Sequence, residues 1–165
     1  MALLKYTTKE LDQMARLMRA EAIGEGELGM LMVGNVIVNR AIAKCLTFKN
    51  INNIEAVIFQ SPGGFAGINS NLFYSAATTL EKELAKRNLD GETYYPATHS
   101  LWFYAPSGNA KCLPLWYNQQ LSGQYKSHCF YRPYQGVCPE LYWYFKQLIQ
   151  IFSNLKTQDL NLESF

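Results

Sequence analysis

The segment from Thr8 to Ile23 constrains this chain more than any other, because its apolar residues recur with the period of a helix. Leu11, Met14, Leu17 and Met18 fall on one face at 100° per residue, and Lys9, Asp12, Arg16 and Arg19 fall opposite. Thr7 and Glu10 have the spacing of a capping box, which sets the start of this helix. Glu21 then lands one turn beyond Leu17 and two turns beyond Met14, on the oily side. Glutamate is seldom buried without a partner or a task. A carboxyl group held in an apolar cleft keeps its proton to higher pH, which is what a general acid for glycosidic-bond cleavage requires. Gly24, Glu25 and Gly26 follow at once, so a second carboxylate sits at i+4 where two glycines end the helix.

A second helix is expected from about Glu27 to Lys44. Its β-branched stretch Val33–Val38 has strand character, but its length and Ala41-Ile42-Ala43 favour a buried helix. A short helix around Asn53–Phe59 precedes a breaker, Gln60-Ser61-Pro62-Gly63-Gly64-Phe65. Ser70 or Asn71 is expected to cap a further helix reaching about Arg87, on the spacing of Leu72, Ala76, Leu80 and Leu84. Beyond Tyr94 the texture changes. The aromatic runs Ser100–Tyr104 and His128–Tyr131, separated by Pro106-Ser107-Gly108 and Ser122-Gly123, read as strands of a small antiparallel unit. Pro139-Glu140 opens a last amphipathic helix carrying Leu141, Phe145, Leu148, Phe152 and Leu155. The fold class expected is α+β, a helical half followed by a small antiparallel strand-rich half with a cleft between them. Residues 1–138 form the main domain, and residues 139–165 a helix and tail packed on it or extending it.

Composition removes several classes of function. With 165 residues, 48% of them hydrophobic and 17% charged, the chain is globular, not disordered. A net charge of +2, no basic block and no glycine-rich phosphate loop argue against nucleic acid and nucleotides. The apolar run Gly29–Val38 is too short to span a membrane, and the N-terminus has no stretch resembling a signal peptide, which points to synthesis in a cytosol. Four cysteines, Cys45, Cys112, Cys129 and Cys138, are free thiols in a reducing compartment or cross-links in an oxidising one; their spacing does not choose.

The run Met14–Gly26, the stretch Gly34–Arg40, the segment Val57–Gln60 with nearby Phe65, the run Leu101–Pro106 and the run Lys126–Tyr131 occur here in one order. Together they resemble the spore cortex-lytic cell wall hydrolases of the SleB/CwlJ type, and within them the short coat-associated branch. The resemblance covers roughly residues 7 to 138. It implies a lysozyme-like, lytic-transglycosylase-like fold acting on cortex peptidoglycan during germination, as a lytic transglycosylase or a muramidase-like hydrolase. Glu21 stands at the family's catalytic glutamate. It further implies a protein deposited in the spore coat from the mother cell without a signal peptide, a coat protein as partner, and activation by calcium dipicolinate. The chemistry itself requires no metal or organic cofactor.

Each remaining candidate has a functional and a structural reading. Glu21 is the catalytic acid, or half of a buried ion pair with Arg40 or Lys44. Glu25 assists water or holds the first carboxyl, or bonds loop amides beside the helix end. Asn35 and Asn39 orient the Glu21 carboxyl, or tie helices together. Gln60 and Phe65 form the lip of the cleft, with Phe65 against a sugar face or in the core. Trp102 and Tyr104 share a strand face and can meet substrate; Trp116 and Asn118 line a sugar groove; His128 is a cleft residue or a satisfied structural histidine. Two rival chemistries are a Cys/His nucleophile from Cys112 or Cys45 with His99, and a zinc site from His99, Cys112, His128 and Cys138. A non-catalytic, coat-anchored peptidoglycan binder or scaffold is the competing class.

Overall fold

The capping box forms as the spacing requires. In the computed structural model, which describes residues 2–143, 146, 149, 150 and 153, the Thr7 hydroxyl accepts the Glu10 N–H at 3.1 Å and the Glu10 carboxylate accepts the Thr7 N–H at 2.9 Å. Helix α1 (Thr8–Ala22) ends where Ala22 leaves helical geometry at φ −143°, and a single tight turn, Ile23–Glu25, leads into α2 (Gly26–Ile42). Glu21 therefore sits in the last turn of α1. Helix α2 is buried continuously from Gly29 to Ile42. Its Val33–Val38 stretch is a helix because it packs on every side, against α1 and the later helix α5 (Thr79–Leu89) in particular. Gly34 allows the close approach of α5: a Cβ there would lie 2.0 Å from Asn88 Oδ1.

Two helical expectations need correction. The helix expected from Ser70 or Asn71 to Arg87 is broken into α4 (Asn71–Tyr74) and α5 (Thr79–Leu89), with α3 (Ile54–Ile58) preceding both. Thr78 and Glu81 make a second capping box that restarts the helix. Arg19 holds the break open. Placed by periodicity on the solvated face of α1, it is 6% exposed, and its guanidinium donates to the carbonyls of Leu72, Ser75 and Ala76 and to the Glu81 carboxylate. These bonds satisfy carbonyls that the break leaves without helical partners. Leu72 and Leu80, which carried the helical spacing, are 37% and 45% exposed.

The second half is a four-stranded antiparallel sheet in the order β1-β4-β3-β2: β1 (Trp102–Tyr104), β2 (Leu115–Trp116), β3 (Gln119–Tyr125) and β4 (His128–Arg132). Ser122-Gly123, expected as a separator, lies inside β3, where the register shifts between Leu121 and Gly123. The two-residue turn Tyr117-Asn118 joins β2 to β3 with both φ values positive, 46° and 59°.

Asn35 and Asn39 fasten the two halves together. Asn35 Nδ2 donates to the Glu92 carbonyl at 2.6 Å, and its Oδ1 accepts the Tyr94 N–H at 2.8 Å. Asn39 Nδ2 faces three carbonyls, of Ala97, Thr98 and Ser100, at 2.9–3.1 Å. Both asparagines are 1% exposed. They are amides buried with their partners, as burial demands. All four cysteines pair, Cys45 with Cys138 and Cys112 with Cys129. The first pair binds the start of the C-terminal segment to the end of α2, where Leu141 is buried and Tyr142 stacks on His99 at 4.3 Å. Phe145, Leu148, Phe152 and Leu155, expected on the last helix, lie outside the described residues. No helix among the described residues is long and apolar enough to cross a membrane.

Candidate active site

Glu21 opens onto a cleft of about 400 Å³ whose walls come from both halves: Glu21, Arg40, Gly64, Phe65, Ala66, Phe103, Tyr104, Ala105 and His128. It adjoins a second cleft of about 410 Å³ that shares Arg40, Gly64 and Phe103 and adds Phe48, Trp102, Trp116 and Tyr117. Glu21 is the only carboxylate lining either cleft among the described residues.

Burial pushes the Glu21 carboxyl above its usual value of 4.5, against two opposing effects: the Gly67 N–H donated to Oε1 at 2.5 Å, and the positive charge of Arg40. Gly67 belongs to the turn Ala66–Asn69 that follows the Pro62-Gly63-Gly64 loop. A Cβ at Gly67 would lie 2.8 Å from Oε1, so only glycine lets the backbone amide come this close.

Arg40 and Glu21 are not one of the ion pairs among the described residues. The guanidinium is committed elsewhere: Nε donates to the Leu101 carbonyl at 2.8 Å and Nη1 to the Gly63 carbonyl at 3.0 Å, with the Phe65 and Phe48 rings 4.3 and 5.1 Å away. Desolvation lowers Arg40 to about 10, which leaves it charged at neutral pH. Lys44, the other basic group considered for a pair, bonds to Ile51 and Asn52 instead. The charge of Arg40 thus tempers the Glu21 carboxyl without neutralising it.

The structure divides the remaining candidates. Phe65, Tyr104 and His128 line the Glu21 cleft, and Trp102 and Trp116 line the adjoining one. Tyr104 stacks on Trp116 at 4.8 Å, so an aromatic wall runs from one cleft into the next. Phe65 is 5% exposed, tilted against Phe103 at 6.1 Å. Four candidates stand apart. Glu25 accepts the Ser127 N–H at 3.1 Å and the Ser127 hydroxyl, and its carbonyl accepts Lys126 Nζ, which is the loop-amide role. Asn39 is spent on the three carbonyls described above and does not orient the Glu21 carboxyl. Gln60 points its Nε2 towards the Thr47 carbonyl at 3.5 Å and lines neither cleft. Asn118 occupies the exposed hairpin turn, where its positive φ serves the turn. Sequence reasoning missed Gly67 and the part played by Phe103, and it weighed Arg40 only as an ion-pair partner. The one available signal was an arginine inside an otherwise apolar helix.

The rival chemistries lose their reagents. With all four cysteines in disulfides, neither Cys112 nor Cys45 offers His99 a thiol, and the proposed zinc ligands Cys112 and Cys138 are consumed. Among the described residues no group of three His, Cys, Asp or Glu could hold a metal.

A helical half carrying one desolvated carboxyl over a groove, closed by a small curled antiparallel sheet, is a lysozyme-like fold. The solved catalytic domain of the Bacillus cereus SleB protein superposes with a TM-score of 0.60 at 21% identity, covering 78% of this chain and 93% of that one. The catalytic domain of the germination-specific lytic transglycosylase SleB from Bacillus anthracis gives 0.60 at 22% identity, covering 77% and 97%. A family model described as Cell Wall Hydrolase matches residues 24–131, beginning just after Glu21. The cell wall hydrolase CwlJ of Halalkalibacterium halodurans is 50% identical over 145 residues, spanning 88% of this chain and 100% of that protein. The CwlJ of Bacillus subtilis is 44% identical, spanning 86% and 98%. The chain belongs to the cell wall hydrolase family.

Proposed function

We propose that the chain cleaves the glycan strand of spore cortex peptidoglycan during germination, with Glu21 as the acid and then the base of a lytic transglycosylase. The protonated Glu21 carboxyl gives its proton to the bridging oxygen as the C1–O bond breaks, and the departing sugar leaves as an alcohol. The Glu21 carboxylate then takes the proton from the muramic acid's own 6-hydroxyl while that oxygen bonds to C1, closing an anhydro ring without water. The observation that carries this reading is the raised carboxyl of Glu21 in a cleft with no second carboxylate among its described walls. A hydrolase delivering water would need a partner carboxyl roughly 5–9.5 Å away, and Glu25 is engaged by Ser127. Trp102, Tyr104 and Trp116 are suited to stacking on sugar faces beside it. The resemblance to coat-associated relatives extends the proposal to a place in the spore coat, a coat protein partner and activation by calcium dipicolinate.

Mass spectrometry of the fragments released from purified cortex strands tests the proposal. Anhydro-muramic ends, one water lighter than hydrolysed ends, are expected. Reducing ends would assign water as the acceptor. Intact strands bound without fragmentation would make this a peptidoglycan-binding scaffold instead.

A further inference from the structure

His128 opens β4 and lines the Glu21 cleft while only 6% exposed. Its Nδ1 is sealed from solvent and has no hydrogen-bond partner. Nε2 is neither among the buried polar atoms without a partner nor hydrogen-bonded to protein, so it is the ring nitrogen open to the cleft. Neutral imidazole carries one proton, on one nitrogen or the other. Burying an N–H without an acceptor is the rarer arrangement in folded proteins, so the proton belongs on Nε2. Burial keeps the ring neutral by holding its pKa below 6.5, against the pull of the Glu25 carboxylate. A neutral donor adds no positive charge beside a developing oxocarbenium ion. Two phenyl rings stand on this side of a cleft that also holds Glu21 and Arg40: the Phe103 ring lies 5.0 Å from the imidazole, and Phe65 lies 6.1 Å beyond Phe103.

A single neutral N–H bordered by two phenyl rings matches an acetamido group, with the carbonyl on the donor and the methyl against the rings. We propose that His128 Nε2–H binds the acetamido carbonyl of the sugar held against Glu21, so that the site selects N-acetylated hexosamines over their de-N-acetylated forms. This assignment rests on the glycan-cleaving reading, but it can be tested without turnover.

Two measurements test it. In the Glu21→Gln protein, the ¹⁵N spectrum of His128 should show Nε2 protonated and Nδ1 bare, and an N-acetylglucosamine tetramer should shift the Nε2 resonance. A ring protonated at Nδ1, or a resonance unmoved at saturating tetramer, would overturn the proposal. With active enzyme, His128→Phe should raise KM for N-acetylated strands about tenfold, the loss expected for one neutral hydrogen bond, with little change in kcat. Its preference for N-acetylated over chemically de-N-acetylated strands should shrink by the same factor, and His128→Gln, which keeps a donor, should restore most of it. Equal losses on both substrates would mean a purely structural histidine. An active Glu21→Gln enzyme would sink the catalytic assignment while leaving the tetramer result standing.

Discussion

Replacing Glu21 by Gln is expected to reduce strand cleavage on the order of 10³-fold, within the range typical for loss of a positioned general acid, while the fold stays intact. The amide oxygen can still accept the Gly67 N–H, and the side chain keeps its size, so the cleft is conserved. What disappears is the transferable proton. The same substitution should also flatten a pH dependence of stability. Burial raises the Glu21 carboxyl above 4.5, so between that value and its higher native one the folded chain binds more protons than the unfolded chain. Wild-type stability therefore declines as pH rises through that interval, and Gln has no such proton to lose. Fragment release and thermal unfolding between pH 4 and pH 8 measure both effects; full activity in the variant would move the chemistry to another residue.

The second large effect is on stability. Cys45 and Cys138 are 93 residues apart, so their bond closes more than half of the 165-residue chain into one loop. In the chain-entropy account such a cross-link stabilises by about 4.5 kcal/mol. Replacing both cysteines by Ala should lower the melting temperature by ~9–18 °C, at about 2–4 °C per kcal/mol for a chain of this size. Wild-type protein in strong reductant should fall towards the same value. Cys112–Cys129 closes a 17-residue separation and should contribute less, about 3 kcal/mol. Equal melting temperatures for wild type and the Cys45/Cys138 double variant would mean that the C-terminal segment is held by packing alone.

Parts of this molecule that obey local rules were legible from residues alone. Periodicity and a capping box place α1 and the carboxyl at its end, and length with flanking alanines identifies α2 as a helix. The aromatic runs locate β1 and β4. What was hidden depends on long-range partners. The break before Thr78 is set by a guanidinium from α1, 57 residues away from Ala76, while local spacing argued for continuity. Strand β3 is polar and contains Ser122-Gly123, so it reads as a turn until β4 and β2 pair with it on either side. Cysteine pairing is likewise a property of the folded chain.

The site shows the same division. Glu21 was visible because a charge on an oily face is anomalous locally. Phe65, Tyr104 and His128 came from segments that the family resemblance singled out, but so did Asn39 and Gln60. Those segments mix residues that hold the halves together with residues that face the cleft, and only side-chain direction separates them. Gly67 was invisible because its contribution is a backbone N–H.

The most direct measurement is the titration of the Glu21 carboxyl itself, by ¹³C spectroscopy of side-chain-labelled protein with the Gln variant assigning the resonance. A midpoint clearly above 4.5 is expected, matched by the alkaline fall of kcat/KM for strand cleavage. A midpoint at or below 4.5 would mean that Arg40 and Gly67 outweigh burial. Glu21 would then be a carboxylate at neutral pH, with no proton to give the glycosidic oxygen.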